Sequence, residues 1–165
     1  MSRRVMILFF AVVAAQVIGL VVFASVRQIA LTEGREVTLQ TVPVDPRSLL
    51  QGDYAILDYE IADVPPWLDD RGLIVYVVLR QCGQVWCADW HANHRPDSNE
   101  VYIRGVVNDR GRLDFGIGTF FVPEGTGHIV ENASDVKVVV SLSSSGNAVI
   151  KEVLVDGRPF EPAGR

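Results

Sequence analysis

The sequence has little of what most enzymatic chemistries need. It holds no G-x-S-x-G elbow, no phosphate-binding glycine loop and no cofactor motif, so no elbow-type serine hydrolase, nucleotide enzyme or cofactor is expected. Lysine occurs only at Lys137 and Lys151. Both fall in one regular hairpin, which leaves Ser143 to Ser145 without a nearby base and gives a Ser–Lys dyad no setting. Histidine occurs only at His91, His94 and His128. The H-x-x-H pair lies where a strand gives way to a loop and lacks a third ligand, so no metal site is expected. Basic charge is also short. All but two of the 15 basic side chains and all 20 acidic ones lie after residue 26, so that portion is more acidic than the whole chain's −5. Such a balance argues against nucleic acid or an anionic membrane surface as partner.

What the chain does have is one long apolar block. Residues 5–26 read VMILFFAVVAAQVIGLVVFASV, with Gln16 the only strongly polar side chain and no charge. At ~1.5 Å per residue this run reaches roughly 33 Å, enough for a ~30 Å hydrocarbon core. Arg3 and Arg4 precede it, which sets the N-terminus inside and the remainder outside. The expectation is a single uncleaved transmembrane helix, with residues 1–26 as anchor, the lipid bilayer as partner through residues 5–26 and the remainder extracytoplasmic. A cleaved signal peptide is the alternative, since Ala24 and Ser25 offer small residues near its end.

After a charged linker over 27–36, residues 37–160 read as an exported, mainly β domain, with 161–165 as a polar tail. Strands are expected at 37–44, 54–61, 72–80, 85–91, 100–107, 113–122, 136–142 and 148–155, separated by turn residues. About eight strands at this spacing predict an antiparallel sandwich or small barrel. A short helix is expected over 128–133. The two cysteines, Cys82 and Cys87, stand in C-G-Q-V-W-C. In an exported domain that pair suggests a structural disulfide across a four-residue hairpin loop. A redox-active pair would favour C-x-x-C at a helix N-terminus.

The most distinctive stretch is V-D-P-R-S-L-L-Q-G-D-Y-A-I-L-D-Y-E-I over 44–61. Asp45 and Pro46 suit the cap and first position of a helical turn, and Gly52 suits its end. Beyond Gly52 the strand period puts Tyr54, Ile56, Asp58 and Glu60 on one face and Ala55, Leu57, Tyr59 and Ile61 on the other. The second face is apolar, which makes Leu57 and Tyr59 core residues. Asp53 and Tyr54 stay open as binding candidates. Arg104, beside Tyr102 and Gly105, needs a carboxylate partner among its apolar neighbours, and Asp53 or Glu124 can supply one. Asp53, Tyr54, Arg104 and Glu124 together would make a pocket for an envelope enzyme or a small-ligand sensor.

Gly52-Asp53-Tyr54-Ala55-Ile56-Leu57-Asp58-Tyr59 meets every specified position of the pattern that names the GDYXXLXY family. Further likeness lies in F-F-V-P-E-G at 120–125 and V-D-G-R-P-F at 155–160, so the resemblance covers about 42–160. The cysteine pair is a local addition to it. The resemblance implies a membrane-anchored bacterial protein without established biochemical activity, a companion of polytopic membrane proteins, and it carries over no catalytic residues. An accessory or binding role at the outer face of the membrane is the expectation that follows.

Overall fold

The computed structural model describes residues 3–32, 34–42, 54–97, 99–123, 126, 130 and 133–160, without the side chains of 3, 5, 6, 8, 22–32 and 54. The apolar block folds as one helix, α1 (Arg3–Thr32). It runs through most of the segment expected as a linker, and β1 begins at Arg35. Among the described residues no helix is long and apolar enough to cross a membrane. This corrects the transmembrane helix expected over 5–26.

The rest of the described chain is mainly β and antiparallel. In chain order the strands are β1 (Arg35–Val42), β2 (Tyr54–Ile56), β3 (Asp58–Tyr59), β4 (Ile74–Cys82), β5 (Val85–Ala92), β6 (Tyr102–Val107), β7 (Leu113–Asp114), β8 (Thr119–Phe121), β9 (Val136–Leu142), β10 (Ala148–Val155) and β11 (Arg158–Pro159). They form a five-stranded sheet β11-β10-β9-β1-β3, a four-stranded sheet β5-β4-β6-β7 and a two-stranded sheet β2-β8.

Among the described residues eleven segments stand where eight strands are expected, and the stretch over 54–61 explains part of the difference. Residues 54–56 pair with β8, with Tyr54 opposite Phe121. The Leu57 N–H donates to the Gly118 carbonyl at 2.9 Å. Asp58 and Tyr59 then pair with Val42 and Thr41 of β1, and Glu60–Ala62 turn in a 3-10 helix. One continuous apolar period therefore crosses from one sheet to another. Periodicity reports which side chains face the core, not which strand supplies the hydrogen bonds. The expected strand over 113–122 is divided likewise into β7 and β8.

One apolar core lies between the two larger sheets. Val37 and Leu39 of β1 and Val138 and Val140 of β9 meet Val75, Val77 and Ile103 of the facing sheet, all essentially buried. Their β-branched, alternating pattern is the reason these segments form strands. The β9–β10 hairpin has an irregularity between Ile150 and Glu152, and Lys151 there pairs with Glu36. Beyond β10 the chain turns once more. Asp156 and Gly157 both hold positive φ, 49° and 78°, the two-residue turn that matches strand twist, and it pairs Arg158 with Val155.

Cys82 and Cys87 form a disulfide, with Cα atoms 5.9 Å apart. The hairpin is tighter than expected. Cys82 pairs with Val85 and Arg80 with Cys87, so the turn is Gly83-Gln84 and the two cysteines lie diagonally across the ladder, within disulfide reach.

Candidate functional site

The described part of the motif builds its own neighbourhood. Tyr59 is buried, and its hydroxyl donates to the Ile117 carbonyl at 2.8 Å. Its ring meets Phe115 edge to face at 6.3 Å, a favoured aromatic geometry. Burial, and then the neighbouring Asp58 carboxylate, push the phenol well above its ordinary pKa. Tyr59 is a core residue with a satisfied hydroxyl, and Leu57 beside it is also buried.

Asp58 points to the other face and meets Arg112. The Arg112 Nε lies 2.9 Å from Asp58 Oδ2, and its Nη2 donates to Asp58 Oδ1 at 3.0 Å and to the Tyr59 carbonyl at 2.8 Å. A second carboxylate, Asp63, also pairs with Arg112. The turn before Arg112 fixes its origin: the Asn108 side chain accepts from the N–H groups of Arg110 and Arg112 at 2.9 and 3.1 Å. An Asn in such a turn mimics backbone and holds the reversal. The result is a polar clip between β3, the Asp63 segment and the start of β7. A cleft of about 370 Å³ opens beside it, lined by Ile56, Asp58, Arg110, Arg112, Asp114 and Thr119 among others.

His91 lies behind Asp63. Its Nε2 is buried without a partner among the described residues. Burial lowers its pKa, against a hydrogen bond with the Asp63 backbone that raises it. His94 is exposed and lies 3.2 Å from the Asn93 side chain. Among the described residues no group of three or more His, Cys, Asp or Glu side chains is placed to hold a metal ion.

Of the four residues expected to share a pocket, the described residues hold the backbone of Tyr54 and all of Arg104. Gly52, Asp53 and Glu124 lie outside the described residues, as do the Asp45-Pro46 turn and most of the short helix expected over 128–133. The backbone of Tyr54 belongs to the two-stranded sheet. Arg104 belongs to the four-stranded sheet, opposite Tyr76, and its N–H donates to the Gly146 carbonyl at 2.8 Å. None of the ion pairs among the described residues includes Arg104, and it does not line the cleft beside the motif.

Sequence reasoning missed Arg112 and its two carboxylates. Asp58 was legible as an outward residue of its strand. Nothing in the period joined it to an arginine 54 positions later. It also missed a cluster around Tyr102. That side chain is buried against Tyr76, with ring centroids 5.7 Å apart. Its hydroxyl donates to the Ser144 carbonyl and accepts from Arg95 Nε, both at 2.7 Å, and Arg95 Nη2 donates to the same carbonyl at 2.7 Å. Gly146 closes this contact. It holds φ +81°, and a Cβ there would lie 2.7 Å from the Tyr102 ring.

Among known proteins, neither the curated proteins nor the solved structures supply a match. The model of the GDYXXLXY protein family matches residues 16–153. That range takes in the octapeptide at 52–59, the four-stranded sheet, the five-stranded sheet up to Val153 of β10, and the clip between them, and the chain belongs to the GDYXXLXY family.

Proposed function

We propose that this chain is a non-enzymatic accessory protein that works beside a polytopic membrane protein, with its β domain on the extracytoplasmic side. The observation that carries the reading is the state of α1. Ile7, Phe10, Ile18 and Leu20 are each at least 60% exposed, and Val17 and Val21 more than half. Large apolar side chains left uncovered on this scale mark a surface meant for an apolar partner. The apolar surface of a polytopic protein offers one of matching character. The disulfide supports the location, because such bonds persist in oxidising compartments and not in the reducing cytoplasm.

Affinity capture of the tagged full chain from mild detergent tests the partner. A stoichiometric polytopic protein is expected, and repeated recovery of the chain alone would overturn the reading. A reporter fused after Arg165 tests the location and is expected to work only outside the cytoplasm. Thiol labelling is an independent check. Cys82 and Cys87 should stay unlabelled in intact cells until a reductant is added.

A further inference from the structure

A second cleft, of about 280 Å³, lies where β1, the β5–β6 loop and the β9–β10 loop meet. Two arginines and one carboxylate line it: Arg35, Arg95 and Glu100. Arg95 is held in place by the Tyr102 hydroxyl and the Ser144 carbonyl, which engage its Nε and Nη2. Arg35 enters from the start of β1, opposite Leu142 in the ladder, and its guanidinium lies 5.4 Å from the centre of the Trp86 ring. A cation on an aromatic face keeps its edge donors available. Neither arginine ion-pairs with a carboxylate among the described residues, and neither does Glu100.

This is unlike Arg112, whose charge two aspartates meet. Two guanidiniums in one cleft, without a carboxylate partner among the described residues, suit a phosphate, which takes several charge-assisted hydrogen bonds. The carboxylate beside them disfavours a simple anion and favours a ligand that also carries an ammonium group. We infer that this cleft binds a zwitterionic amino-phosphate of the phosphoethanolamine type, with the phosphate on Arg35 and Arg95 and the ammonium on Glu100. Both a phospholipid headgroup and a free phosphoethanolamine carry that chemistry. The site goes beyond the accessory role and stands without it.

Calorimetric titration of the detergent-solubilised full chain with O-phosphoethanolamine and with inorganic phosphate tests the assignment. Saturable binding is expected for both, tighter for O-phosphoethanolamine. Arg35→Gln changes an exposed strand-end side chain and leaves the Tyr102 cluster intact. It is expected to weaken both probes about tenfold or more, the scale of one charge-assisted hydrogen bond. Glu100→Gln is expected to abolish the preference for the amine while phosphate still binds. Flotation with phosphatidylethanolamine and phosphatidylcholine vesicles separates the sources. Binding of the first that Arg35→Gln weakens and free O-phosphoethanolamine displaces assigns a lipid headgroup. Saturable binding of the free compound without that displacement assigns a soluble ligand. Absence of saturable binding by both probes, affinity unchanged in Arg35→Gln, or an amine preference that survives Glu100→Gln overturns the proposal.

Discussion

Arg112 and Arg95 sit at two corners of the same domain, and each donates to a backbone carbonyl. They differ in what else they meet. Arg112 faces Asp58 and Asp63, so its charge is matched and its donors hold three chain segments together. Arg95 meets a neutral hydroxyl and a carbonyl, and Arg35 beside it meets an aromatic face. An arginine whose partners are carboxylates of its own chain has spent its charge on folding. One fixed by neutral acceptors keeps its charge for something that arrives later. The first arrangement lies beside the family motif and the second does not, so Leu57 to Tyr59 of the motif mark a structural joint.

The largest test of that contrast is Tyr59→Ala. Removing a buried aromatic from the joint is expected to cost about 3–5 kcal/mol in denaturant unfolding, whereas Tyr59→Phe should cost only about 1 kcal/mol for the lost bond to Ile117. A small effect of Tyr59→Ala would mean that the motif does not hold the joint. At the other corner, Gly146→Ala forces a side chain into positive φ and against the Tyr102 ring. A loss of about 2 kcal/mol is expected, together with weaker O-phosphoethanolamine binding as Arg95 loses its frame.

Arg112→Met should cost about 1–2 kcal/mol, a figure held down because Asp63 is largely exposed. If it instead left stability unchanged and abolished binding of a ligand in the cleft beside it, the two arginines would have exchanged roles. Stability near the joint should also depend on pH. The folded pKa of His91 lies below its ordinary 6.5, so in the window beneath 6.5 the unfolded chain binds more protons than the folded one. The stability carried by neutral His91 is therefore present above pH 6.5 and declines as pH falls through that window. Unfolding curves of the parent and of His91→Gln across this range check it, and the variant should show the shallower slope. The smallest expected change is Arg35→Gln, which should move stability by no more than about 0.5 kcal/mol.

Much of the fold could be read in the chain. The burial of Leu57 and Tyr59, the strands at 85–92 and 136–155, and the turn at Asn108 follow from local signals: alternation, β-branched runs and turn residues. The candidate site was far less legible. Arg104 was singled out because it stands among apolar residues, yet the described ion pairs bypass it. Arg112 and Arg95 lie in polar loops, where an arginine excites no suspicion, and their partners come from 7 to 54 positions away. No local pattern encodes such pairings.

By itself the sequence determined the family, the dominance of β structure and the side of each strand that faces the core, because side-chain alternation and turn chemistry act over a few residues. Only the tertiary structure decided that the motif strand changes sheets at Leu57, that the cysteines sit diagonally across a two-residue turn, and that one arginine is neutralised while another keeps its charge. Those outcomes depend on which distant segments come together when the core closes, and the free energy of that closure is shared by the whole chain.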